Sequence, residues 1–335
     1  MKSHTAVLCA SVTLWFVIVT FGSGTQAQQP APARAALIPA TPDFDKAVIQ
    51  TLPVQGSVSM LVGPGGNVTV QTGADGVLLV DTQFGPAAPK VFDAVRKLSD
   101  LPIHTIINTH FHADHTGATG ALVKMRGAGP QAVRVMAHDN VLVRMQQSAA
   151  AGAESSAALR LNQAIVVPVT SPYFTPSRDF FLNGEAVILH HVPAAHTDGD
   201  TIVHFRKSDV VVAGDVFTPD LYPVIDLQSG GSVNGVIAAL NRILDIAVPA
   251  RYQEGGTYVV PGHGRLCDEA DVVEYRDMVT IIRDRVQDLV SRKMTLPQVK
   301  AARPTRDYDT EYGADSGYWT TDMFVEAVYR SLSTK

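Results

Sequence analysis

Residues 109–117 read Thr109-His110-Phe111-His112-Ala113-Asp114-His115-Thr116-Gly117. Three imidazoles and a carboxyl in an H-x-H-x-D-H pattern are far denser in metal donors than an ordinary polar turn. Residues 103–108, just before it, form an apolar run with the β-branched content of a buried strand. Side chains alternate along a strand, so His110 and His112, two apart at its end, point the same way and can chelate one ion together. Asp114 and His115 lie beyond the strand, on the following turn, offset enough to hold a second ion nearby. Imidazole nitrogen and carboxylate oxygen are both donors for Zn²⁺ at roughly 2.0–2.2 Å.

Three further residues share that context of buried strand, tight turn and ligand-type side chain. His196 follows Val192-Pro193-Ala194-Ala195, Asp215 ends Val210-Val211-Val212-Ala213-Gly214, and His263 sits in Pro261-Gly262-His263-Gly264 after Tyr258-Val259-Val260. In an α/β sheet, residues just past strand ends gather along one edge, where sites form. Asp81 closes another fully apolar run, Val77-Leu78-Leu79-Val80.

The rest of the chain supports that fold class. Strands are expected at 58–62, 68–71, 77–80, 103–108, 133–137, 186–191, 201–205, 210–213 and 258–260. Helical spacing of apolar residues appears at 87–98, 233–246, 271–292 and 322–332, the last capped by Thr320 or Thr321. No repeat and no second boundary interrupts residues 43–335, which read as one α/β domain. Gly63-Pro64-Gly65-Gly66-Asn67 reads as a hairpin turn that either closes over substrate as a flap or is a plain surface turn.

Residues 1–27 have the layout of a secretory signal peptide: Lys2, an apolar run over 6–21, and small and polar residues ending at Ala27. That run is shorter than the roughly 20 residues of a membrane-spanning helix, so no stable insertion is expected after cleavage. Residues 28–42, rich in Pro, Ala and Gln, read as a linker. The product would be exported, periplasmic or secreted. Cleavage removes Cys9 and leaves Cys267 alone, so an internal disulfide is excluded, and Cys267 is expected as a core or loop thiol. The chain carries 27 Lys and Arg against 32 Asp and Glu, a net charge of −5, with no dense basic block. Nucleic acid is therefore not an expected partner.

The Val80-Asp81-Thr82, THFHADHTG, Ala195-His196-Thr197, Gly214-Asp215 and Pro261-Gly262-His263-Gly264 elements, in that order, resemble the metallo-β-lactamase superfamily. That resemblance implies a four-layer αβ/βα sandwich with a dinuclear zinc site along one edge of two sheets. It implies His110, His112 and His196 for the first metal, and Asp114, His115 and His263 for the second. Asp215 would bridge both ions, and Asp81 would support the ligand loop. A true class B β-lactamase usually has cysteine or serine where Asp215 stands; a bridging aspartate is similar to glyoxalase II, lactonases and related esterases.

The implied activity is a metallo-hydrolase acting on a small molecule. Two Zn²⁺ per chain, with iron or manganese as alternative metals, would produce hydroxide from water near neutral pH. Oriented by Asp114, it would attack the carbonyl of a cyclic amide or ester of β-lactam or lactone type. Alternatives are a thioester hydrolase resembling glyoxalase II and a non-hydrolytic metal or redox accessory protein. No Walker A loop, dinucleotide glycine fingerprint or Gly-x-Ser-x-Gly elbow competes with this reading. Tyr222, Asp226 and Ser232 are candidates for the pocket wall. His104, His138, His190, His191 and His204 are expected in structural roles.

Overall fold

The computed structural model describes residues 42–126, 132–151 and 169–333. The expected signal peptide and nearly all of the linker lie outside them. Among the described residues, twelve strands form two mixed six-stranded sheets, each ordered as in the chain. The first holds β1 Gln50–Gln55, β2 Val58–Val62, β3 Val68–Gly73, β4 Gly76–Val80, β5 Ile103–Ile107 and β6 Arg134–Met136. The second holds β7 Ser177–Leu182, β8 Glu185–His191, β9 Thr201–Phe205, β10 Val210–Gly214, β11 Tyr258–Pro261 and β12 Cys267–Asp268.

Antiparallel neighbours dominate both sheets, but β4–β5, β5–β6 and β10–β11 run parallel. Parallel neighbours need crossovers. These are α1 Ala88–Leu98, then α2 Ala113–Thr116 with α3 Thr119–Met125, and, beyond α4 Asp139–Ala151, α5 Val233–Ile246. After the last strand come α6 Glu269–Ser291, α7 Leu296–Ala301, α8 Asp309–Tyr312 and α9 Thr321–Ser333.

The apolar runs are explained by three cores. Leu78 and Val80 meet Val203, Phe205, Val210 and Val212 between the sheets. Val77 and Leu79 point the other way, onto Val91 and Val95 of α1 and Leu122 of α3. Val211 and Ala213 likewise face Leu240 and Ile243 of α5 and Tyr275, Val279 and Ile282 of α6. A strand buried on both faces cannot alternate apolar with polar residues, hence the continuous runs. Helix, sheet, sheet, helix is the expected αβ/βα sandwich.

Two helix starts are fixed by side chains. Ser232 accepts from the Gly235 amide at α5, and Asp268 with Asp271 forms a capping box at α6. Cys267 is buried in the core beside α6. No described helix is long and apolar enough to cross a membrane.

The ends of β4, β5, β8, β10 and β11 open onto one edge of the sandwich. There the Thr201 amide donates across the sheets to the Thr109 carbonyl at 2.8 Å. Gly214 meets Thr109 with φ +55°, and a Cβ there would stand 2.8 Å from the Thr109 hydroxyl. Glycine lets the two sheets close at this point.

Candidate metal centre

Seven ligand-type side chains converge on that edge, although they come from four separate loops. His110, His112, His196 and Asp215 offer atoms within 4.8 Å of one another, and so do Asp114, His115 and His263. His110, His115 and His196 form a buried floor. His112, Asp114 and His263 are only partly covered and face the opening.

Asp215 lies between the two groups. Its Oδ2 is 3.7 Å from His196 Nε2 and 3.9 Å from His110 Nε2, whereas its Oδ1 is 3.1 Å from His115 Nε2 and 3.6 Å from His263 Nε2. Each oxygen therefore serves a different group. Asp114 Oδ2 joins the second group, 3.2 Å from His263 Nε2.

The far nitrogens fix how the imidazoles face. His115 Nδ1 donates to Asp81 Oδ2 at 2.8 Å, His196 Nδ1 to the Val224 carbonyl at 2.7 Å, and His110 Nδ1 to the Thr109 hydroxyl at 3.0 Å. A neutral imidazole with one nitrogen donating turns a lone pair inward on the other. Asp81 also accepts from the Thr109 amide and hydroxyl at 2.8 and 2.7 Å. It does so from a left-handed backbone, φ 62°, which aspartate tolerates better than most residues.

Electrostatics split the set: against burial, Asp215 raises His115 well above the usual imidazole range, and Asp226 and Asp215 likewise raise His112 and His263. Burial, and behind it His115, holds His110 well below the usual imidazole range. Burial and then His112 bring His196 down to about 4. Burial alone would raise Asp215, but His115 and His263 hold it well below the carboxylate range. Asp114 is pulled to about 2 against burial, by His115 first and His263 next. Two buried atoms, His110 Nε2 and Asp215 Oδ1, have no hydrogen-bonding partner. Nitrogen and oxygen donors with orphaned lone pairs aimed into one gap fit divalent metal, because a buried polar atom left unpaired otherwise costs about 1–3 kcal/mol.

The hairpin over 63–67 is neither flap nor plain turn. The Gly66 amide donates to the Asp114 carbonyl at 3.1 Å, and the Asn67 amide to the Gly262 carbonyl at 2.7 Å. Asn67 Nδ2 donates to the Pro261 and Gly264 carbonyls at 3.0 and 3.1 Å. Gln83 closes it further, accepting from the Gly65 amide and donating to the Gly66 carbonyl. A Cβ on Gly66 would lie 2.2 Å from the His115 ring. This turn is a staple holding the His115 and His263 loops together.

Tyr222 is not in the pocket wall. Its ring stacks on Phe324 at 4.6 Å, and its hydroxyl donates to Asp309 Oδ1 and the Thr305 carbonyl inside the helical core. Ser232 supports the His196 loop instead, donating to the Ala194 carbonyl at 2.8 Å. Asp226 does reach the centre, 3.3 Å from His112 Nε2. Sequence reasoning missed Tyr318, between α8 and α9. Burial first, then the charges of Asp215 and Asp114, push its phenol up to about 12. No motif marks it.

Among the described residues, the other histidines sit in structural surroundings away from the donor groups. His104 pairs with Thr105, His190 with Arg242, and His204 lies in β9. His138 accepts from the Asn140 amide and stacks on His191 with ring centroids 3.5 Å apart.

The metallo-beta-lactamase superfamily model matches residues 61–263, from β2 to the last histidine of the centre. The chain belongs to the metallo-beta-lactamase superfamily. It is thus a hydrolase of a superfamily of metal-dependent enzymes, with a donor set able to hold metal. A 69-residue stretch is 36% identical to the linear primary-alkylsulfatase of Pseudomonas sp. (strain ATCC 19151), covering 20% of this chain and 13% of that enzyme. Among solved structures, the stereoselective inverting sec-alkylsulfatase Pisa1 from Pseudomonas sp. superposes at TM-score 0.55 and 18% identity, over 84% of this chain and 50% of that one. The BLEG-1 B3 metallo-beta-lactamase superposes at TM-score 0.53 and 22% identity, over 70% of this chain and all of that one. The chain thus spans half or less of the two alkylsulfatases, and the superfamily match ends before α6 to α9.

Proposed function

We propose that the chain is an exported dinuclear zinc hydrolase that opens a small cyclic ester or amide, of lactone or β-lactam type. The observation that carries this reading is Asp215, whose two oxygens address two complete ligand groups at once. When bound, a pair of divalent ions supplies a nucleophile from water and polarises the electrophile. His110, His112 and His196 would hold one ion, and Asp114, His115 and His263 the other. Asp114, partly open to the mouth, would orient the attacking water.

An aspartate at 215 favours the ester over the β-lactam. Two cations are already engaged: Arg144 of α4 makes a bidentate pair with Asp198, and Arg265 with Asp271. That favours a substrate without a strongly anionic reacting group. A sulfate ester is the second reading, favoured by the 36% identity to a linear primary-alkylsulfatase.

Zn²⁺-loaded protein should be assayed in parallel on a simple lactone, nitrocefin, a thioester and a linear alkyl sulfate, with His112→Ala and a chelated sample as controls. Lactone turnover lost in both controls is expected. Turnover that survives chelation and substitution would contradict a metal mechanism, and turnover of the alkyl sulfate alone would replace the substrate class.

A further inference from the structure

We propose that Asp226 is the positioning residue that decides which nitrogen of His112 faces the first ligand group, and so sets the metal affinity of that group. The inference rests on the reading of His110, His112, His196 and Asp215 as metal ligands. His112 differs from its neighbours in orientation. Its Nδ1, not its Nε2, lies 2.9 Å from His196 Nε2 and faces the group, while its Nε2 lies 3.3 Å from Asp226 Oδ2. A carboxylate only accepts, so it holds the single proton of a neutral imidazole on Nε2 and leaves the lone pair on Nδ1.

Asp226 cannot swing away from that task. Its Oδ1 accepts from the Gln228 and Ser229 amides, both at 3.1 Å. Its own amide donates to the His196 carbonyl at 3.0 Å, and its carbonyl accepts from the Gly231 amide at 2.8 Å. One residue therefore ties His112 through its side chain and His196 through its backbone. Arg144 braces the same turn from α4, with Nη1 3.4 Å from the Gln228 carbonyl and its other nitrogens on Asp198 of the His196 loop. A carboxylate that only capped the turn would not need its second oxygen turned to an imidazole.

Asp226→Asn separates the two roles. The amide oxygen can still cap the turn, but the NH₂ then faces His112 Nε2, which must become an acceptor and move its proton to Nδ1. Zn²⁺ titrations against a chromophoric chelator should be run in two backgrounds: His263→Ala, which leaves the first group complete, and His196→Ala, which leaves the second. Asp226→Asn is expected to weaken Zn²⁺ about 10–100-fold in the first background and to change nothing in the second. Long-range proton–nitrogen spectra of the metal-free chain at mildly alkaline pH should show the His112 proton move from Nε2 to Nδ1. Unchanged affinity in the first background, or an equal fall in both, overturns the inference. A His263→Ala parent that binds no Zn²⁺ sinks the ligand reading, and the inference with it; a parent that binds while the variant binds equally well sinks only the inference.

Discussion

Gly66 and His115 touch so closely that the smallest side chain has no room between them. Gly66→Ala would place a methyl 2.2 Å from the imidazole, so either the hairpin or His115 must move. We expect the second ligand group to fail while the fold survives, with bound metal falling from two ions per chain toward one by elemental analysis. Away from the centre, His138 makes a pH prediction. Burial, and then His191, bring it from 6.5 to about 4. The unfolded chain therefore binds a proton that the folded one refuses between these values, and stability rises with pH across that window. The contribution is complete above about pH 6.5 and is lost as pH falls through about 4. His138→Phe should remove up to one proton's worth of slope, about 1.4 kcal/mol per pH unit, from denaturant midpoints measured between those limits. Asp81, His196, Asp215 and His263 were legible as site candidates because each follows an apolar run, and His110, His112, Asp114 and His115 because they form one dense donor motif. The contact between Asp226 and His112 was not, since 114 residues separate them and no spacing rule links them.

Elements read from the sequence were those buried on both faces. β4, β5 and β10 announce themselves as unbroken apolar runs. β1 and β7 do not, because they are the outer strands of their sheets: β1 carries Pro53 beside a register shift, and β7 alternates exposed and covered residues. The hairpin between β2 and β3 was legible as a turn, but its role was not, since Asn67 finds its partners at Pro261 and Gly264 only after folding. The opposite end of the sandwich has its own cross-sheet tie. Buried Glu185 accepts from Gln71 Nε2 at 2.7 Å, from the Ser208 hydroxyl at 2.7 Å and from the Lys207 and Ser208 amides at 3.0 Å. Glu185→Ala leaves these donors unpaired and should cost about 2–4 kcal/mol in denaturant unfolding. Metal content per folded chain should stay at the wild-type value, because the strands separate this tie from the centre.

At the scale of the molecule, two sheets closed face to face bring four distant loops to one edge, and α5 to α9 pack against the outside of the second sheet. The C-terminal helices hold the loop after Asp215 from behind. Tyr275 donates to the Leu221 carbonyl at 2.9 Å, and the Tyr222 amide donates to the Tyr312 carbonyl at 3.2 Å. The family match ends at His263, where the last of the candidate donors stands, and the remaining helices brace the loop after Asp215 from outside it. The central claim is that two donor groups, shared through Asp215, hold two ions side by side. Its most direct test is equilibrium metal content after stripping and reloading with Zn²⁺, compared among wild type, His196→Ala and His263→Ala. Two ions in the wild type and one in each variant is the predicted result; a single ion in the wild type, undiminished by either substitution, would contradict it.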